Sequence, residues 1–198
     1  MAMIPPKNKS FDPVPAGNHV ARLYDIIHVG TVPTTYQGQE RMSDQVRLTF
    51  ELCNETKVFK EGEEPRPYSI STSFMTFSMG QKANLRRLIE GMLGVALHDN
   101  EADSFDLEQL LERPCLLNVV HTESNGNTYA NIKGASPLPK GMTAPPQFNA
   151  PRKFEIMEAT KEQIEALPQF IREKVYASNE YKLRFEKPDV DTNADVPF

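Results

Sequence analysis

No tryptophan occurs in the 198 residues, cysteine occurs twice, and no apolar run approaches the ~20 residues a membrane helix needs. Cys53 and Cys115 both sit in apolar, strand-like runs, where small free thiols are common in a reducing compartment. A disulfide scaffold is therefore not expected. His19, His28, His98 and His121 show no ligand spacing with those cysteines, so no structural metal is expected either. The opening stretch MAMIPPKNKSFDP lacks the charged-then-apolar layout of a secretion signal, and the expected location is the cytoplasm. Walker, Rossmann, HExxH, CxxC and GxSxG patterns are absent. No catalytic activity and no cofactor are expected. A surplus of positive charge is missing as well: 22 Lys and Arg face 27 Asp and Glu, for a net charge of −5. That argues against a broad duplex-binding footprint. It leaves room for a narrow groove in which a few cations accompany stacking rings, which suits unpaired strands.

What is present is a β pattern. HVARLYDIIHVG follows Gly17, is rich in β-branched and aromatic residues, and stops at Gly30. TVPTTYQGQERMSD (31–44) reads as a loop, with Pro33 and Gly38 as breakers. In QVRLTFELC (45–53), Val46, Leu48, Phe50 and Leu52 alternate with Arg47, Thr49 and Glu51. This period of two gives one face to a core and the other to solvent or a ligand. A charged loop (54–67) leads to a third strand, YSISTSFMTFS (68–78). Leu85, Leu88, Ile89 and Met92 then recur at helical spacing, with Gly94 as the C-cap. DSFDLEQLLER (103–113) predicts a second short helix capped by Ser104. PCLLNVVHTE (114–123) and TYANIKGASPL (128–138) form a hairpin through Asn125-Gly126.

Three strands, a helical connection and a hairpin resemble the order of an OB-fold barrel. The expected class is mainly β: a five-stranded OB-fold barrel with a helical connection between strands 3 and 4 and a C-terminal helical and extended appendage. The organisation read from composition is an extended N-terminal arm (1–16), the barrel domain (17–138), a Pro-rich linker (139–158), a helical appendage (159–187) and an acidic tail (188–198). In the appendage, Thr160 and Gln163 make a capping box and Pro168 interrupts the helix. The stretch after 178 has too little apolar content to fold alone.

An OB barrel binds oligomers across its second and third strands and between the loops after strands one and four. Candidates fall in those places. Tyr36 and Arg41 lie in the first long loop, Arg47 on the polar face of strand two, Phe77 in strand three, and Tyr129 and Lys133 on one face of the return strand. Phe74 and Phe77 face opposite ways, so one belongs to the core. Rings stack on bases and cations meet phosphates. At the other end, Asp189, Asp191 and Asp195 precede Val196, Pro197 and Phe198, with no Lys or Arg after Lys187. An acidic string ending in an aromatic residue suits docking to a basic-rimmed apolar pocket on another protein.

Asp195-Val196-Pro197-Phe198 resembles the tip of bacterial single-stranded-DNA-binding proteins, which end in acids followed by Ile-Pro-Phe. The stretches DQVRLTFEL, KANLRRLIEGMLG, FDLEQLLERPCLLNVVH and NTYANIKGASPLP are similar in layout to OB-fold single-stranded-DNA-binding proteins of tailed bacteriophages. The resemblance implies protection of transient single strands in replication, recombination or repair, with replication or repair proteins recruited through the tail. It places a phage-encoded chain in the host cytoplasm and leaves a homo-oligomer open. Two rival readings stand beside it. One is a structural or protein-interaction β-barrel module of a phage, which the negative charge suits. The other is a nuclease accessory subunit, for which Asp25, Asp44 and Glu51 are the strand-proximal acids.

Overall fold

The computed structural model describes residues 13–186; the tail residues Asp189, Asp191, Asp195, Val196, Pro197 and Phe198 lie outside them. Strands β1 (Gly17–Tyr36), β2 (Gln39–Lys57), β3 (Arg66–Ser71), β5 (Pro114–Ser124) and β6 (Asn127–Ser136) form a nearly closed antiparallel barrel in the order β3-β2-β1-β5-β6. The two-residue β4 (Met75–Thr76) adds to β2, and β7 (Arg152–Glu155) runs parallel to β1. Helices α1 (Asn84–Leu93) and α2 (Asp99–Asp103) and a 3-10 turn (Leu107–Leu110) link the third strand to the last hairpin. This is the mainly β, five-stranded arrangement expected of an OB-fold barrel.

The alternation in β2 sets the barrel core. Val46, Leu48, Phe50 and Leu52 are fully buried and meet Ala21, Leu23 and Ile26 of β1 and Cys115, Leu117 and Val119 of β5. Leu85, Leu88, Ile89 and Met92 of α1 plug the same core. Burial in this core pushes the Cys115 thiol up to about 12. α1 packs so tightly on β6 that a Cβ at Gly91 would lie 2.5 Å from the Ala135 carbonyl oxygen.

A second core lies behind β1. Ile27, Val29 and Val32 pack against Phe154 and Ile156 and against Ile164, Leu167, Ile171 and Val175. Those last four come from α3 (Lys161–Glu165), α4 (Gln169–Ala177) and the turn between them. β1 is thus buried on both faces, which explains its near-continuous apolar run. Thr160 and Gln163 make the expected capping box, Ala166 caps the end of α3, and Pro168 is the N-cap of α4.

Several segments differ from the sequence reading. Residues 31–44 are not a loop but the outer half of a long β1–β2 hairpin. Gln37 and Gly38, both at positive φ, supply a two-residue turn of the primed kind that matches strand twist. Counting back from the Tyr36/Gln39 pair puts Pro33 at a non-hydrogen-bonded position, where its missing N–H costs the ladder nothing. The third strand breaks after Ser71. There the Thr72 hydroxyl accepts the Leu48 N–H, and the Thr72 N–H donates to the Leu48 carbonyl. The helix expected at 103–113 is instead the end of α2 and the 3-10 turn. Ser104 closes the former, and Asp106 caps the latter.

The Pro-rich segment 139–158 is packed on the barrel rather than free. The Glu51 carboxylate, fully buried on the outer side of β2, accepts the backbone N–H groups of Phe148 and Asn149 and the Asn149 side-chain amide. Arg152 then donates two hydrogen bonds, both 2.7 Å, to buried Asp25. Residues 179–185 form α5 (Asn179–Phe185) not alone but docked on β1, where Glu180 accepts the Thr31 N–H and hydroxyl at 2.7 and 2.9 Å. Among the described residues, no helix is long and apolar enough to cross a membrane.

Candidate nucleic-acid interface

The outer side of β2 carries Gln45, Arg47, Thr49 and Glu51, the residues between its core positions. Arg47 is the centre of the most suggestive cluster. Its guanidinium lies 5.0 Å from the centroid of the Phe170 ring and 6.0 Å from that of Phe74. Lys174, one turn after Phe170 on α4, places its ammonium 4.9 Å from the Phe74 ring. Two rings and two cations therefore alternate across the junction of β2, the broken third strand and α4.

Neither cation is neutralised by an ion pair among the described residues. Arg47 donates to the Thr72 carbonyl at 3.4 Å, and Lys174 to the Gln45 side-chain carbonyl at 3.3 Å. Burial draws the Arg47 pKa down while the nearby Asp25 charge holds it up. A half-buried guanidinium without a direct carboxylate partner is a site that an anion would relieve. Phe170 is 51 % exposed, so its ring is available for a planar ligand.

A groove of about 450 Å³ runs from Phe74 and Lys174 along Gln45 to Thr34, Thr35 and Glu40 of the long hairpin. The hairpin tip carries Tyr36, 55 % exposed, with the Arg41 guanidinium 4.5 Å from its ring centroid. Tyr36 and Arg41 thus pair at the hairpin tip, and Arg47 lies six residues further along β2 from Arg41, in the cluster with Phe74 and Phe170. Further along β2, the packed segment beside Glu51 presents Phe148, another exposed ring. Glu51 and Arg47 are four residues apart on one strand face, roughly 13 Å.

Phe77 is placed elsewhere: its ring packs at 4.7 Å on His28, beside a small cavity of about 120 Å³. Tyr129 stands half exposed on the β5–β6 hairpin, and Lys133 lines a separate groove on β6. Of the six predicted residues, the structure pairs Tyr36 with Arg41, sets Arg47 in a cluster with Phe74 and Phe170, and places Phe77, Tyr129 and Lys133 elsewhere. No protein-family model matches the chain, and no curated protein matches it.

The geometry adds Phe74, Phe170 and Lys174. A sequence signal existed for Phe170. The buried stripe of α3 and α4 runs through Ile164, Leu167, Ile171 and Val175, and Phe170 falls outside it. An aromatic off the apolar stripe of an amphipathic helix has to face outward.

The acids considered for catalysis are all engaged. Asp25 holds Arg152, Glu51 holds the 147–149 segment, and Asp44 accepts from His28 Nε2 at 2.6 Å. On its other side His28 Nδ1 donates to Glu155 at 2.7 Å. Burial by itself pulls the imidazolium down, but the hydrogen bonds to Asp44 and Glu155 outweigh it and raise the His28 pKa to about 9. No group of three or more His, Cys, Asp or Glu suited to a metal occurs among the described residues.

Proposed function

We propose that this protein binds single-stranded DNA without strong sequence preference, on the outer side of β1–β2 and the neighbouring face of α4. The observation that carries this reading is the Arg47–Phe74–Phe170–Lys174 cluster, in which exposed or half-exposed rings alternate with cations that have no direct carboxylate partner. Rings accept any base by stacking, and cations accept the phosphates between them. The Tyr36–Arg41 pair at the tip of the hairpin repeats the same combination of ring and cation. Coating of transient single strands in replication, recombination or repair is the role such binding serves. The acidic terminus ending in Phe198 is read, on sequence alone, as the contact for replication or repair proteins.

The test is an anisotropy titration of a labelled oligo(dT) at two salt concentrations. The reading predicts binding that weakens with salt, with a log–log slope of about −0.7 for each phosphate contacted. Absence of binding at micromolar protein would leave the second reading, a protein-interaction barrel of a phage. That reading is favoured by the net charge of −5 and by Leu183 of α5, which is 84 % exposed.

A further inference from the structure

The five strands stop just short of closing. β3 and β6 approach each other, but the strand path ends at each of them and no ladder joins the two. Instead the gap opens into a groove of about 440 Å³. Residues 71–73 form one wall, residues 131–134 the other, and Asn84 and Arg87 of α1 stand at its end. An open seam between two sheet edges leaves backbone donors and acceptors available to a ligand.

The lining has a consistent chemistry. Besides the apolar Met75, Leu88 and Ile132, it holds hydroxyls, amides and two cations, Arg87 and Lys133, and no carboxylate. The side chains of Lys133 and Ser73 make no hydrogen bond or ion pair among the described residues. The Arg87 guanidinium is exposed and bonds only to the side-chain carbonyl of Asn84 among them. Its neighbour Arg86 is the opposite case: buried, and committed to Glu90, Asp99 and the carbonyls of Met79 and Leu97. Beside Lys133, Gly134 faces open space, which leaves bare backbone for close approach. No aromatic ring lines the seam, so it offers charge and hydrogen bonds without stacking.

We propose that this seam is a phosphodiester subsite, in which Arg87 and Lys133 hold the sugar–phosphate backbone of the strand whose bases lie on Phe74 and Phe170. The proposal rests on the single-strand reading and extends it. Segment 71–75 is shared by the two grooves: Ser71, Thr72, Ser73 and Met75 line the seam, and Phe74 lines the aromatic groove. A strand crossing that segment passes from a place for bases to a place for phosphates. An extended peptide would also fit two free strand edges, but cations with no balancing carboxylate favour an anion.

The experiment compares the full chain with the Arg87→Gln/Lys133→Gln variant, checked for an unchanged melting temperature. A charge-preserving Arg87→Lys/Lys133→Arg variant serves as control. Two probes are titrated against salt: oligo(dT), and an abasic deoxyribose-phosphate oligomer of the same length. With oligo(dT), the Gln variant should flatten the log–log slope by about 1.4 and weaken binding about 25-fold at about 0.1 M salt, with the control near wild type. An unchanged slope overturns the seam proposal and leaves the aromatic groove standing. If wild type fails to bind oligo(dT), the stacking reading falls, and the abasic oligomer decides the seam alone. Loss of its binding in the Gln variant then supports the subsite. Equal binding by both proteins, or none by wild type, overturns it and leaves the seam to a peptide strand.

Discussion

The Arg47 guanidinium lies 5.0 Å from the centroid of the Phe170 ring, so a barrel strand and a C-terminal helix build one surface. Neither residue is committed to the core. Arg47 lies half-buried on the polar face of β2, and Phe170 sits off the apolar stripe of α4. The helices that a linear reading treats as an appendage therefore supply half of the candidate interface.

Ring and charge are separable in this surface. Phe170→Ala and Phe74→Ala should each weaken oligo(dT) binding by ~1–3 kcal/mol with no change in salt slope, because stacking releases no counterions. Arg47→Ala should flatten the slope by about 0.7. Anisotropy titrations at several salt concentrations check both. A Phe variant that alters only the slope would assign the rings to structure.

Glu51 anchors the 147–149 segment through three hydrogen bonds from a fully buried carboxylate. Hydrogen bonds to a charged group contribute about 1.5–3 kcal/mol, and a lost anchor leaves the segment's N–H groups unpaired. Glu51→Ala should lower unfolding stability by ~3 kcal/mol. It should also open the 139–150 region to limited proteolysis before the barrel. Denaturant titration and timed digestion measure the two effects.

The His28 bridge gives a pH dependence with a definite sign. Its folded-state pKa of about 9 stands above the ordinary 6.5, so the folded protein holds this proton more tightly than the unfolded chain. The stabilisation is complete below about pH 6.5 and is lost as pH rises to about 9. The shift corresponds to at most about 3 kcal/mol, less the screening at half-exposed Asp44. His28→Gln should remove this alkaline loss. Melting curves of both proteins between about pH 6 and pH 9.5 should converge as pH rises.

Gly91 tests the packing of α1 on the seam strand. Alanine is the better helix former by about 1 kcal/mol. Its Cβ, however, would meet the Ala135 backbone oxygen at 2.5 Å, and backbone cannot step aside as a side chain can. Overpacking of this kind costs typically 1–3 kcal/mol. Gly91→Ala should therefore destabilise despite its propensity gain, as read by chemical denaturation.

The barrel was legible wherever a local pattern decided the outcome. The β2 alternation, the Asn125-Gly126 turn, the Gly94 cap and the Thr160–Gln163 box all depend on residues close in sequence. The outer hairpin was not, because Pro33 and Gly38 signal a break unless the ladder position of Pro33 is known. The 139–158 segment was not, because its anchors are distant in sequence: the Glu51 and Asp25 carboxylates on β2 and β1, and the parallel pairing of β7 with β1 that buries Phe154 and Ile156. Of the candidate interface, Arg47 was readable from its polar-face placement, whereas Tyr36 and Arg41 were picked from a supposed loop that is the tip of the β1–β2 hairpin. Phe170 and Lys174 needed the docking of α4 on β1, a contact carried by the second core.

Photocross-linking tests the central claim most directly. An oligo(dT) substituted with 5-iododeoxyuridine would be irradiated on the full chain, and adducts mapped by peptide mass. The account predicts adducts on the peptides carrying Phe74 and Phe170. Adducts confined to the 54–67 loop or to α5, with both rings unmodified, would contradict it.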